Sequence, residues 1–458
     1  YNNKSAETTI TFSKSAIASN TGNYEKITYH VTPDHENIHK SYVHELMSVN
    51  TTGTNSNTTT YRPSSLGELN NNGENPLFAE PMYEPQITGY TVDYIYNPQA
   101  FAGWAECDEK GNIIYYTDNT YTTISITKTA YTKIYGLYDE IPNTVTNLKA
   151  IWEDATVVFV SSTSGDNSYD GKLPTTPVAD IETAYSKLNS SGTATNNIIV
   201  IMDEVVWNSS TTLNKNATIT SLYAGIDYST QGAELKISSN MTVNGDIIFD
   251  NIELYASSST VSDGTNYLAN GTYTNMLISN YSGDITLGRG ITTPTGKYTF
   301  GAIIGGNYKQ ETSTGILGTH TIRIESGRYN NIIAGSALAN NQATTAMKNV
   351  EHKVIIGNMR DSAISKNDKL TITGYLGIGE NELKCYPIGS NDYTNAYNKN
   401  YAQITLYSGT YTGDNKFAKS SENAVIYSRT INGQTDGTIT FEMFGGDVNS
   451  NIYGGACS

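Results

Sequence analysis

Apolar residues along this chain come in short alternating or continuous runs and only rarely at helical spacing. The most informative stretch lies between Val157 and Leu188. Val157, Val158, Phe159 and Val160 are β-branched or aromatic and predict a strand. The Ser/Gly/Asp/Asn cluster from Ser161 to Gly171 breaks the chain into a loop, and Pro174 and Pro177 keep it extended. Asp180 then caps a short helix near 178–188 whose apolar face is Ile181, Ala184, Tyr185 and Leu188. A second strand follows over Ile198–Met202, and after it no helical pattern returns. Short runs take over instead: Ala217–Leu222, Ala233–Ile237, Met241–Val243, Asp246–Phe249 and Ile252–Leu254, each beside Ser, Asn or Gly. An amphipathic helix beside the first such runs is what covers the open end of a parallel β-solenoid, whose terminal coil would otherwise leave apolar side chains in water. The expectation is a mostly β chain, with a solenoid over 154–458.

An internal repeat supports winding. Ile322-Arg-Ile324-Glu-Ser-Gly327-Arg-Tyr329 and the following Ile332 to Gly335 match Phe441-Glu-Met443-Phe-Gly-Gly446-Asp-Val448 and the following Ile452 to Gly455. A shorter copy is Ile404-Thr-Leu406-Tyr-Ser-Gly409-Thr-Tyr411. Unequal spacing between copies predicts coils of variable length, with 340–353, 367–384 and 389–401 as insertions where binding function would sit. Asn at corners, as at Asn330-Asn331, is placed to stack from coil to coil.

Upstream, residues 1 to about 20 read as a strand or lead-in, and Lys26–Val31 as a strand. Asp34 caps a helix over HENIHKSYVHELMSV, and the Asn/Thr-rich stretch 50–76 reads as a long surface loop. Residues 89–153 alternate in strand fashion around a turn at Gly111-Asn112. The domains expected are therefore 1–87, 88–153 and 154–458, the first either separate or part of the second.

Two resemblances sharpen this. Val157–Val160, then Gly165, Asn167, Asp170, Gly171, Pro177, Ile181 and Ala184 resemble the entry to the pectate-lyase-like, right-handed parallel β-helix domains of secreted and surface-attached bacterial proteins. Phe101, Gly103 and Trp104, the turn Glu109–Asn112 and the closing Leu148–Trp152 resemble the Listeria–Bacteroides, or internalin B-repeat, module. They imply a right-handed parallel β-helix with a small α+β or β-rich N-terminal domain, on a protein that is secreted or attached to the cell wall. The β-helix fold carries lyases, hydrolases, tailspikes and adhesins alike, so it leaves function open.

Composition narrows the partners. The net charge is −16 and charged residues are only 16%, which argues against nucleic acid and anionic membrane surfaces. Tyr numbers 35 against 9 Phe, which suits a surface that meets glycans or proteins through uncharged hydrogen bonds. Three distant cysteines, Cys107, Cys385 and Cys457, make neither a disulfide framework nor a zinc spacing. Such sparse cysteine use is what a secreted Gram-positive protein tolerates. No apolar run of membrane-spanning length is present, so no membrane insertion is expected of this chain, which reads as a fragment of a longer protein.

Candidate chemistry is sparse. His35-Glu36-Asn37-Ile38-His39 is formally H-E-x-x-H, which on a helix sets His35 and His39 on one face for zinc with Glu36 to activate water. No third ligand is marked nearby, and the flanks are polar, which favours a solvated helix. Asp166-x-Ser168-x-Asp170-Gly171 resembles the first half of a calcium loop, but Pro177 stands where the bidentate Glu belongs. A structural turn is the simpler reading, calcium at a single half-site the alternative, and no cofactor is otherwise expected. Asp246, Asp250, Glu253 and Asp284 look dispersed, and His320-Thr-Ile-Arg323 lacks the paired acids of polygalacturonases. The balance leans away from catalysis and toward an adhesin presenting loops to host or microbial glycans or surface proteins. A carbohydrate-active enzyme on the same helix is the alternative; a metallopeptidase and a tailspike are further ones.

Overall fold

The computed structural model describes residues 8–12, 24–30, 59–63, 77–78, 98–126, 131–136, 140–141, 145, 147–210, 212–223, 226–257, 277–279, 283–288, 290–305, 320–334, 341–342, 350–357, 370–373, 376–377, 383–384, 400–406, 410–411, 424–427, 438–443, 446–448 and 451–453. The chain divides into two units, Tyr1–Lys14 with Val157–Leu222 and Asp227–Ser458, and Ser15–Thr156 with Tyr223–Ile226.

The first unit is mostly β, with parallel sheets whose strands follow one another in sequence order: a β-solenoid-type architecture. Most turns of the chain lay down a first strand in one long sheet, a second strand on another face and a third on an eight-stranded sheet; the turn of Ile285–Leu287 has only a bridge, Thr292 to Glu253, on the second face. The first strands run from Thr156–Val160 through Asn197–Ile201, Ala217–Thr220, Ile247–Asp250, Ile285–Leu287, His320–Ile324, Val350–Ile356 and Asn400–Leu406 to Thr438–Met443. The second face has two blocks. Glu204–Trp207, Glu234–Ile237 and Glu253–Ala256 form one, and Gly327–Tyr329, Leu370–Ile372, Thr410–Tyr411 and Asp447–Val448 the other.

Register explains the core. Ala217, Ile247, Ile285, Ile322, Val354, Ile404 and Phe441 lie directly above one another, as do Ile219, Phe249, Leu287, Ile324, Ile356 and Leu406. All of these side chains are buried. Alternation puts i and i+2 of each strand inward, so two files of apolar residues run the length of the sheet. Each fully buried Ile or Leu contributes about 1.5–3 kcal/mol, more than the ~1 kcal/mol net of a corner hydrogen bond. The apolar files therefore dominate. A polar file edges them: Asn216 Oδ1 accepts from Asp246 N (2.8 Å), Asp246 Oδ1 from Asp284 N (3.0 Å), and Asp284 Oδ1 from Thr321 N (2.7 Å).

The entry stretch closes the first coil. The loop after Thr156–Val160 returns along that strand: Phe159 N donates to Gly171 O (2.7 Å), Val178 N to Phe159 O (2.9 Å) and Ser161 N to Val178 O (3.0 Å). Gly171 has φ +74, and a Cβ there would meet Val158 Cγ1 at 2.6 Å, so both backbone sign and close packing demand glycine. The helix is Ile181–Lys187, with the Asp180 side chain accepting from Thr183 N and Ile181, Ala184 and Tyr185 buried. Tyr185 reaches Trp207 of the next coil (centroids 6.0 Å apart) and accepts from Lys215 N (2.6 Å), while Lys215 Nζ donates to the carbonyls of Ser186 (2.7 Å) and Leu188 (2.8 Å). The lysine thus satisfies carbonyls at the end of the helix.

In the second unit the F-x-G-W strand, Gln99–Glu106, pairs antiparallel with Asn147–Asp154, so Trp104 lies opposite Ala150. Trp104 is wholly buried. Gly111, at φ +78, turns the chain after Asp108, whose carboxylate accepts from Lys110 N (2.9 Å) and Asn112 N (2.8 Å). Tyr24–His30 lies parallel to Asn147–Asp154 and Thr59–Pro63 antiparallel to Tyr24–His30. Part of the expected 50–76 loop is therefore a strand, because Thr59-Thr60-Tyr61 has the β-branched and aromatic content that pairing rewards. Likewise the expected insertion 367–384 holds the second and third strands of a coil, Leu370–Ile372 and Leu376–Gly377. The helix expected after Asp34 lies outside the described residues.

Ile322→Ala is expected to cost about 2–5 kcal/mol, whereas Lys172→Ala, on the exposed entry loop, should stay within about 0.5 kcal/mol. Urea denaturation of both variants checks this, and equal losses would remove the stacked file from the core.

Candidate functional site

A gathering of ionisable side chains lies on the three-stranded block of the solenoid. Glu204, Glu234 and Glu253 each open their strand and lie in register, Glu204 opposite Glu234 and Glu234 opposite Glu253. The next residues, Val205, Leu235 and Leu254, are buried. Alternation therefore turns the three carboxylates outward in a column. Two residues on, Tyr255 sits on the same outer face opposite Lys236, its ring covered by Lys297, whose Nζ stands 4.4 Å from the centroid. Tyr255 Oη donates to Glu204 Oε1 (3.4 Å) and accepts from Lys297 Nζ (3.3 Å), and Nζ lies 4.0 Å from Glu234 Oε2.

Burial holds Glu253 above the usual carboxylate range; its hydrogen bond to Glu234 and that group's charge add to the rise, and Lys297 opposes it. Tyr255 is likewise pushed up, first by burial and then by the Glu204 and Glu234 carboxylates. The three glutamates, the Tyr255 hydroxyl and the Lys297 ammonium thus form one stacked polar column on the outer face.

The other candidates scatter. His35, Glu36 and His39 lie outside the described residues. Asp166 Oδ1 accepts from Ser168 N (2.8 Å) and Asp170 Oδ1 from Lys172 N (3.0 Å), both on exposed loop. The Asp166 carboxyl is lowered by its bonds to the Ser168 backbone and side chain. Between these turns Asn167 Oδ1 accepts from Ala179 N (2.9 Å), and Asn167 also bonds Asp180, which ties the loop to the helix cap. Among the described residues no group of three or more His, Cys, Asp and Glu is placed to share a metal ion. His320 is buried and Arg323 partly exposed on the alternate face of one strand, so the two do not converge. Cys107 is a free, buried thiol, pushed up to about 12 by burial and then by Asp108. Its neighbour Glu106, also buried, accepts from the hydroxyls of Tyr116 and Tyr135 (2.5 Å for Tyr135) and pairs with Lys133 Nζ at 3.4 Å.

Of the acids that looked dispersed, Glu253 joins Glu234 and Glu204 and Asp284 joins Asp246, whereas Asp250 lies opposite Thr220. The overlooked signal was a thrice-repeated phrase, Glu204-Val-Val-Trp207, Glu234-Leu-Lys-Ile237 and Glu253-Leu-Tyr-Ala256, each an acid followed by inward residues at the next and third places. The chain matches no protein-family model, no curated protein and no solved structure. Among the described residues no helix is long and apolar enough to cross a membrane.

Two outcomes follow. Lys297→Met should raise the Glu253 pKa further, since the ammonium favours the carboxylate; carboxyl-detected NMR titration reads this, and an unchanged or lower value contradicts the assigned contact. Asp284 and His320 oppose each other in acid. Burial raises the Asp284 carboxyl to about 6 from 3.8, so its stabilising contribution is complete below 3.8 and lost as pH rises through 6. Burial lowers His320 to about 4 from 6.5, so its contribution is present above 6.5 and lost as pH falls toward 4. Asp284→Asn should therefore show a steeper loss of stability between pH 6.5 and 4 than the unsubstituted protein, by up to about 1.4 kcal/mol per pH unit. Urea midpoints across that range provide the measurement.

Proposed function

We propose that this chain is a binding protein of a bacterial surface, an adhesin in which a right-handed parallel β-helix and a B-repeat-like module present loops to host or microbial glycans or proteins. Secretion or wall attachment by a Gram-positive bacterium accords with its sparse cysteines and its uncharged, Tyr-, Asn- and Thr-rich composition. The observation that carries the reading is the contrast between constant strands and variable connections. Twenty residues separate Asn197 from Ala217, but 50 separate Val350 from Asn400, while the paired strands keep the same inward files. A scaffold that holds its core and varies its excursions is built for display. On the β-rich unit, Ile124, Ile126, Tyr131 and Ile134 are exposed, apolar surface of the kind that partners cover.

A second reading, a carbohydrate-active enzyme, draws on the elevated proton affinity of Glu253 beside Glu234 and Tyr255. One experiment separates the two. The purified chain is applied to a glycan array and to surface proteins from host secretions, and in parallel incubated with plant and mucin polysaccharides. Saturable binding without release of reducing ends is expected. Turnover that Glu253→Gln abolishes would replace the adhesin with the enzyme, and neither binding nor turnover would reject both.

A further inference from the structure

The second face of the solenoid is interrupted between its two blocks. After Ile285–Leu287 the described residues lay no strand there and meet the edge strand Glu253–Ala256 at two isolated bridges, Thr292 opposite Glu253 and Tyr298 opposite Ala256. The first bridge is parallel and the second antiparallel, so the segment reverses on itself between them. The reversal is a tight turn. Lys297 N donates to Pro294 O (3.1 Å), and Gly296, third of the four residues, has φ +83, the sign a type II turn demands there. Residues 292–298 therefore form a strap folded back on the strand edge, not a rung of the stack.

The feet of this strap are fixed and its span is free. Ile291 and Phe300 are each only 2% exposed, and Ile291 N donates to Ser326 Oγ (2.9 Å). Between them Thr295, Gly296, Lys297 and Tyr298 are exposed, and a Cβ on Gly296 would meet nothing within 4 Å. Two backbone bonds tie the span to the edge strand, Leu254 N to Thr292 O and Ala256 N to Tyr298 O (both 2.9 Å). The side-chain ties are long: Thr293 Oγ1 donates to Leu254 O at 3.4 Å, and Lys297 Nζ stands 3.3 Å from Tyr255 Oη and 4.0 Å from Glu234 Oε2. The Lys297 side chain is itself 43% exposed, so salt screens its charge. A segment with buried feet, an exposed span and few contacts opens far more readily than the coil that carries it. What it covers is nevertheless well hidden. Tyr255 is 2% exposed although its register places it on the outer face.

We propose that residues 292–298 are a releasable strap latched by Lys297. Closed, the ammonium covers the Tyr255 ring and the strap carbonyls hold the amides of Leu254 and Ala256. Released by salt, the span bares that ring, flanked by the Glu204, Glu234 and Glu253 carboxylates, together with the Ala256 amide. Ile291 and Phe300 keep the coil wound meanwhile. The device stands independently of what the loops bind.

Hydrogen exchange resolved to single amides by mass spectrometry tests this on the complete chain. Ala256 reports the strap, because its N–H donates to Tyr298 O; Ser257 is the control, because its N–H donates to Ile237 O of the preceding coil (2.8 Å). Exchange is compared in the unsubstituted protein at low salt and at ~1 M sodium chloride, where charges are screened beyond about 3 Å, and in Lys297→Met and Lys297→Arg at low salt. Expected is an Ala256 rate, relative to Ser257, about five-fold higher in Lys297→Met and in high salt. Lys297→Arg, which keeps a cation over the ring, should stay near the unsubstituted ratio. The proposal is overturned if the ratio does not rise, whether because Ala256 is unmoved or because Ser257 accelerates with it as the whole coil loosens. The salt arm needs no substitution, and so decides the matter should either variant fail to fold.

Discussion

Vertical register is the constraint on which the solenoid unit depends. A side chain in one coil must fit the side chain directly above and below it, some 4.8 Å away, and nothing in a single coil can bury its apolar face alone. Ala217 beneath Ile247, and Ile404 beneath Phe441, are therefore parts of one continuous structure although far apart in sequence. Shifting any strand by one residue would turn its whole apolar set outward. The connections bear no such demand, and they absorb the differences in coil length.

The same rule has a cost wherever the stacked residues are polar. Like groups come to lie over like, and each column must find its own compensation. At the corner before the first strand, Asp246 and Asp284 are reconciled because each carboxylate takes a backbone N–H from the coil above it. On the outer face, the Tyr255 hydroxyl and the Lys297 ammonium offset the stacked Glu204, Glu234 and Glu253. The elevated proton affinities of Glu253 and Asp284 share burial as their first cause, and a stacked acid adds to each.

Much of the architecture was legible. The entry strand, its return loop and the capped helix were each marked by local chemistry: β-branched runs, a glycine that must take positive φ, and an Asp placed to cap. The strand character of Gln99–Glu106 and Asn147–Asp154 was legible in their alternation, but not their antiparallel pairing. Less visible were features set by register. Two-residue and three-residue strands such as Leu376–Gly377 and Leu370–Ile372 carry too few residues to show a period, so they read as insertion. The acids of the outer column lie 30 and 19 residues apart (Glu204 to Glu234, Glu234 to Glu253), an uneven interval that conceals their alignment. Nor did any local signal announce that Thr8–Phe12 would pair with a strand at the opposite end of the chain; only its likeness to Thr438–Phe441 hints at it.

The direction of the hydrogen bonds between coils has a mechanical consequence. In this unit they run along the stacking direction, from each first strand to the one above. A load applied along the stack would pull them in series, so the weakest rung yields before its neighbours, and the freed coil pays out as slack. The differing loop lengths would make each event release a different amount of chain, between 20 residues and 50 by the spacing of successive first strands. Such a stack would act as a graded shock absorber, shedding tension a turn at a time while the remaining turns stay wound.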